Sequence, residues 1–272
     1  MDLTSDHPFW AVKDGLLANY PPLEADMSCE VAILGAGITG ALMAEALVSD
    51  GHEVMVLDAR DICHGSTSAS TALLQYEADT HLIDLIAQHG ERTGEIVYRA
   101  CHESIDLLEA KIRALGIDCD FARRPSVYLA SRKKDWPVLQ QEAAARRRIG
   151  IEVEEWSSTD VASRFGFVRP GALVSKQAAE VDPYRLAHGL LAAARHNGAR
   201  IFDRTSVRRI EETPKGIVLH TDRGTVVRAR HLVVATGYES PELFDIARFV
   251  KLTSTFAVAS EPLKAEQLWW ER

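Results

Sequence analysis

The sequence predicts an α/β protein: a Rossmann-like three-layer domain with a β-meander, beside part of a second, α+β domain. Three observations carry this. A β-branched run, Glu30–Leu34, meets a glycine cluster, an Ala/Leu-rich helical segment that stops at Gly51, and a second apolar run, Glu53–Leu57. Together they make a unit of about 30 residues, the size of a right-handed β-α-β crossover. Far downstream, residues 205–230 alternate in three short runs separated by Thr213-Pro214-Lys215-Gly216 and Thr221-Asp222-Arg223-Gly224, the turn chemistry of a meander. Between them, residues 119–175 change character, mixing strand candidates with charged helix.

In order along the chain, residues 1–28 read as a polar arm lying on the surface, with Tyr20-Pro21-Pro22 inside it. The β-α-β unit follows. A Ser/Thr-rich loop, Gly65–Thr71, precedes helical spacing over 81–90 and 92–115. Ser126–Ala130 is a strand candidate, and 134–149 a charged helix. Asp182-Pro183 opens a helix with Asp at the N-cap and Pro at N1, apolar to Ala194 and stopped by Gly198. After the meander, His231–Ala235 reads as a separate buried strand ending at Thr236-Gly237.

The 272 residues are 46% hydrophobic and carry a formal net charge of −8, so no basic field draws in nucleic acid. The basic clusters Arg132–Lys134 and Arg146–Arg148 read as solvated helix faces. Met1–His7 lacks the basic and apolar regions of a secretory signal, and no stretch is apolar enough for a membrane span. Cys29, Cys63, Cys101 and Cys119 show no metal-ligand or CxxC spacing, so free thiols, no metal site and a cytoplasmic location are expected.

Gly35-Ala36-Gly37-Ile38-Thr39-Gly40 is GxGxxG between a strand and a helix. The first glycine permits the tight turn, the second lets backbone approach a pyrophosphate, and the third lets helix and strand pack closely. The helix N-terminus offers unpaired amides to phosphate. The second strand ends at Asp58, about 20 residues on, where a carboxylate accepts from a ribose 2′-hydroxyl. Asp58-Ala59-Arg60 therefore favours FAD or NAD, while Arg60 keeps NADP from being excluded outright.

The next loop favours FAD. Ser66, Thr67, Ser68, Ser70 and Thr71 supply five hydroxyls directly after the ribose-binding strand, suited to a second wrap around the pyrophosphate. Here the sequence resembles the D-amino-acid oxidase/glycine oxidase-type superfamily of FAD-dependent oxidoreductases. GAGITG, the acid of VMVLDAR and GSTSASTALLQYE carry the resemblance, and VDPYRLAHGLLAAARHNGARI, TSVRRI and HLVVATGYES continue it in order over about residues 28–260.

The resemblance implies an FAD/NAD(P)-binding fold with an antiparallel-sheet substrate domain. It implies that Ser66, Thr67 and Ser68 hold the phosphates with Thr71 also at the cofactor, that the backbone around Ala72, Leu73 and Leu74 approaches the flavin, and that the Val207 backbone contacts the adenine. Ala235, Thr236 and Gly237 bring the chain back against FAD. Some relatives attach FAD through a loop histidine; Ala69 stands at that position, so non-covalent FAD is expected, with His64 a polar loop residue. The domains are expected at 29–118 plus 176–247 for FAD and 119–175 plus 248–272 for part of the substrate domain. Phe249–Pro262 reads as a returning strand of the latter.

The implied activity is oxidation of a C–N bond of an amine or amino acid, by hydride transfer to flavin. The flavin carries the difficult chemistry, and the sequence singles out no catalytic residue. The family pattern continues about a hundred residues beyond Arg272, so an incomplete substrate sheet is expected, covered by a complementing chain or homo-oligomer. The alternatives are a non-catalytic or split FAD-binding fragment, a glycerol-3-phosphate-dehydrogenase-like activity and an NAD-dependent dehydrogenase.

Overall fold

The computed structural model describes residues 7–77, 79–246, 249–251, 253, 261, 263 and 264. The chain divides into two compact units, 1–71 with 115–119 and 182–258, and 72–114 with 120–181 and 259–272. The expected returning strand at Phe249–Pro262 falls largely outside the described residues.

The first unit is built on β1 (Met27–Leu34), α2 (Ile38–Ser49) and β2 (Val54–Leu57), preceded by a short helix α1 (Phe9–Asp14). Strand β1 begins three residues earlier than the apolar run alone implies. Long-range pairing explains this: Met27, Ser28 and Cys29 lie opposite Val227, Arg228 and Ala229, while the Glu30 and Val31 amides both donate to the Glu53 carbonyl, at 3.1 and 3.0 Å. Beyond α7 (Pro183–His196) come β7 (Arg200–Phe202), β8 (Val207–Thr213), β9 (Gly216–Thr221) and β10 (Val226–Val234). The sheet runs β7-β2-β1-β10-β9-β8, with the first three pairings parallel and the last two antiparallel.

Strand β10 corrects the sequence reading. The third meander run and His231–Val234 are one continuous strand, because the stretch Val226–Val234 contains no turn residue. Its first half pairs antiparallel with β9, while Val227–Val234 runs parallel to β1.

One face of the sheet buries Cys29, Ala32, Leu34, Met55, Leu57, Phe202, Leu219 and Val227 in a single cluster with Leu23. Burying each of the larger side chains stabilises the fold by roughly 1.5–3 kcal/mol. By the two-residue period of a strand, Val54 and Val56 face the other way. Helix α2 packs on β1, β2 and α7.

The N-terminal stretch is more than the surface arm its composition implies. Leu23 is fully buried and Tyr20 nearly so. The Tyr20 amide donates to Asp203 Oδ2 and the Leu23 amide to Thr205 Oγ1, at 3.1 and 2.9 Å. Polar composition hid an arm tied down by side chains about 180 residues away.

The second unit holds β3 (Leu73–Gln75), α3 (Leu82–His89), α4 (Glu91–Leu115), β4 (Ala122–Leu129), α5 (Trp136–Arg148), β5 (Glu154–Ser157), α6 (Ser158–Phe165) and β6 (Gly171–Glu180). Strand β6 is central and antiparallel to β3, β4 and β5.

The observed division differs from the sequence-based boundaries. Residues 72–114 pack here because Tyr76, Leu82, Tyr98 and Ile105 share a cluster with Ala145, Ile149, Ile151 and Ala179. The boundary at 175/176 would cut β6; the division falls after it, at Val181/Asp182. Among the described residues no helix is long and apolar enough to cross a membrane.

Candidate dinucleotide site

The glycine turn joins β1 to α2. Gly35 has φ +99°, and a Cβ there would lie 2.5 Å from the Ala235 carbonyl oxygen. A Cβ on Gly37 would lie 2.8 Å from Thr67 Oγ1, and one on Gly40 would overlap the Gly35 carbonyl oxygen. Ala36 is fully buried, and Thr39 is exposed in the first turn of α2. The three glycines thus let backbone and the Thr67 hydroxyl approach the turn more closely than any side chain would allow.

Asp58, just past the end of β2, reaches back to it. Its Oδ2 accepts from the Ala36 amide at 2.7 Å and its Oδ1 from the Arg60 amide at 2.9 Å. Burial raises this carboxyl above its ordinary value, opposed by the two amides and the Arg60 charge. Ala59 is exposed. The Asp58 carbonyl accepts from the Thr205 amide at 2.7 Å, and the Arg60 carbonyl from the Arg204 amide at 3.0 Å. Val207 begins β8 two residues beyond, at the edge of the sheet, and packs against the core cluster.

The hydroxyl loop forms a 3₁₀ turn, Ser66–Ala69. Buried Thr67 accepts the Ile38 amide on Oγ1 at 3.0 Å, and Ser68 Oγ donates to the Gly65 carbonyl at 2.9 Å. Thr71 is exposed. The Ala235 amide donates to the Leu34 carbonyl at 2.7 Å, and a Cβ on Gly237 would stand 3.9 Å from Ser66 Oγ. Thr236 Oγ1 bonds Ser240 Oγ at 3.0 Å. Ala72 and Leu73 belong to the second unit. There Ala72 has φ +55° and accepts the Val181 amide, while Leu73 is exposed in β3.

Three contributors escaped the sequence reading. Glu239 takes the Arg60 guanidinium in a two-point pair, at 2.9 and 2.7 Å. The Arg60 bonds hold the Glu239 carboxyl below its ordinary value. Arg60 is therefore committed to a carboxylate, which weakens the case for a 2′-phosphate there. Cys63, at φ +64°, donates both its amide and its thiol to the Ala36 carbonyl, and burial pushes the thiol pKa up. Trp10 Nε1 donates to the Ser70 carbonyl at 2.7 Å. Separations of 179 residues for Arg60–Glu239 and 60 for Trp10–Ser70 leave no local signal for either pair.

Backbone at a helix N-terminus, with the Thr67 hydroxyl against it and the Asp58 carboxylate beside it, can hold a diphosphate and its neighbouring ribose. Comparison with known proteins points the same way. A family model described as FAD dependent oxidoreductase matches residues 30–271. The gamma-glutamylputrescine oxidoreductase of Escherichia coli is 26% identical over 84% of this chain and 53% of its own length. The glycine oxidase of Bacillus subtilis is 25% identical over 79% and 56%. The crystal structure of L-proline dehydrogenase from P. horikoshii has the same fold, with TM-score 0.68 at 16% identity over 80% of this chain and 55% of that one. The chain spans about half the length of the curated relatives it matches.

Proposed function

The chain belongs to the FAD-dependent oxidoreductase family, and on that premise we propose that it oxidises the C–N bond of an amine or amino acid. FAD, the family's cofactor, supplies the hydride acceptor when bound. The observation that supports the cofactor part of the reading is the Asp58 carboxylate, held 2.7 Å from the amide of Ala36 inside the glycine turn. Both its oxygens meet backbone amides and still have lone pairs for a ribose hydroxyl.

In this reading Gly35–Gly40 and Ser66–Ser68, with Thr71, surround the diphosphate without a Cβ in the way. Ala59, Arg60 and Val207 flank the adenosine, and Ala235–Gly237 supply backbone beside the hydroxyl loop. Ala72 and Leu73 would face the flavin. Ala69 offers no nucleophile, so FAD is held non-covalently. The substrate class follows from what the relatives' names say they act on: gamma-glutamylputrescine, glycine and proline. The free thiols Cys29, Cys63, Cys101 and Cys119 fit a cytoplasmic protein.

A second reading is an FAD-binding piece that turns over only with a complementing chain or in a homo-oligomer. Among the described residues β4 stands at an edge of its sheet, and the relatives are about twice as long.

An absorbance spectrum of the purified chain, followed by anaerobic addition of primary and secondary amines, separates the readings. Flavin bands that bleach with an amine support catalysis by this chain. Flavin bands that no amine bleaches support the second reading. A colourless protein that binds nicotinamide dinucleotide instead would overturn both.

A further inference from the structure

Helix α1 is six residues long and buries none of them fully. Phe9 and Val12 are 49% and 67% exposed. Neither intrinsic propensity nor apolar burial fixes so short a helix. Directed polar bonds do. Besides the Trp10–Ser70 bond, Lys13 Nζ donates to Asp182 Oδ2 at 2.8 Å, Arg185 Nε to Asp14 Oδ1 at 2.8 Å, and Tyr184 Oη to the Gly15 carbonyl at 3.2 Å. Three of these hold α1 to the first turn of α7, and the fourth reaches the hydroxyl loop. The indole is itself oriented, with the Phe9 ring edge-on at 5.0 Å and the Lys13 ammonium 5.1 Å from its centroid.

Ser70 is the residue that ends the 3₁₀ turn. The same turn is held from the other side by the bond from the Ile38 amide to Thr67. It is therefore gripped at both ends: by the glycine turn at Thr67 and by α1 at Ser70.

We propose that Trp10 is a positioning residue for the cofactor loop: its indole N–H fixes the Ser66–Ser70 turn against the glycine turn before any dinucleotide arrives. The inference rests on the FAD reading and deepens it. A loop already ordered by Trp10 spares the ligand the entropy of ordering it. Trp10 touches no reacting atom. Its effect on the cofactor passes through Ser70 and the turn.

The test uses the full chain with Trp10→Phe, which keeps the ring and deletes the N–H. Amide hydrogen exchange over residues 64–71 without FAD, and FAD affinity by quenching of flavin fluorescence, are the two readouts. Both are expected to change about tenfold, the roughly 1.4 kcal/mol of one net hydrogen bond, with exchange in β1 and β2 unchanged. Lys13→Met cuts one tie of α1 to α7 and leaves the indole bond in place. It is expected to speed the same amides severalfold and serves if Trp10→Phe does not fold. Wild-type exchange over 64–71 in both variants overturns the proposal, as does acceleration spread equally over β1 and β2. If neither wild type nor variant takes up FAD while the loop still exchanges faster, the role of Trp10 in ordering the turn stands and the FAD reading falls.

Discussion

Gly35 and Gly37 lie two residues apart, yet an added methyl group meets different neighbours at each. At Gly37 it meets the Thr67 hydroxyl, which can rotate away at the expense of its bond from the Ile38 amide. At Gly35 it meets the Ala235 backbone carbonyl, in a conformation at φ +99° that L-residues avoid. Gly37→Ala should therefore keep its fold and lose FAD affinity by about tenfold or more. Gly35→Ala should lose about 3 kcal/mol of stability. Urea denaturation and flavin titration on the same samples check both, and equal loss of stability in the two variants would contradict the assignment.

His188 makes a different residue-level prediction. It is 6% exposed in α7, its ring 4.5 Å from that of Tyr184, and neither ring nitrogen has a hydrogen-bond partner among the described residues. Burial, with a smaller contribution from His64, lowers its pKa to about 4 from an ordinary 6.5. The unfolded chain takes up a proton near 6.5, whereas the folded chain stays neutral there until about 4. This group thus favours the fold fully above pH 6.5, and that contribution is lost as pH falls towards 4, at up to about 1.4 kcal/mol per unit. His188→Leu forfeits no hydrogen bond and should flatten the stability profile between pH 6.5 and 4.5. An unchanged slope would mean that other groups set it.

At the scale of the element, α7 shows what local chemistry can encode. Asp182 caps it, accepting from the Tyr184 and Arg185 amides at 3.0 and 2.9 Å, and Pro183 takes the first position, as the sequence alone implies. Asp182→Ala should cost about 1–2 kcal/mol for the cap alone. The loss of the Lys13 bond would add to that, and Asp182→Asn should recover part of the total in chemical denaturation.

The β-α-β unit and the meander turns were legible for the same reason: their signals lie within a few residues. The continuity of β10 was legible only in part: the run Val226–Val234 carries no turn residue, but its pairing with β1 joins segments about 200 residues apart. The full length of β6 was not legible, because its partners β3, β4 and β5 come from scattered segments. Within the site, the glycines, Asp58 and the hydroxyl loop were legible as motifs, and the structure brings those of the first unit together. The clamp of Glu239 on Arg60 depends on contacts remote in sequence and left no trace there.

At the scale of the whole molecule, the two units have separate cores, and the second contains a buried charge cluster. Arg146, expected on a solvated helix face, is instead 1% exposed and Glu142 fully buried, with Nε and Oε1 2.7 Å apart. The guanidinium lies 5.4 Å from the ring centroids of both Tyr76 and Tyr98, and 3.4 Å from Glu77 Oε1. Glu142 also takes the Leu82 and Ile83 amides at the start of α3, each at 3.0 Å. Removing the cation leaves two carboxylates in the core of the second unit, a change that costs roughly 3–5 kcal/mol. Arg146→Leu should therefore lower the stability of residues 72–114 and 120–181 by about that much. The proposed diphosphate cradle at Gly35–Gly40, Asp58 and Thr67 lies wholly in the first unit. In Arg146→Leu, ADP, which carries the diphosphate and adenosine of FAD, should still bind under conditions where the second unit has lost exchange protection. The double variant Arg146→Met with Glu142→Met removes the stranded partner and should regain part of the loss. If ADP binding and protection in the two units instead vanish together in one transition, the units do not unfold separately and the independence inferred from their cores is wrong.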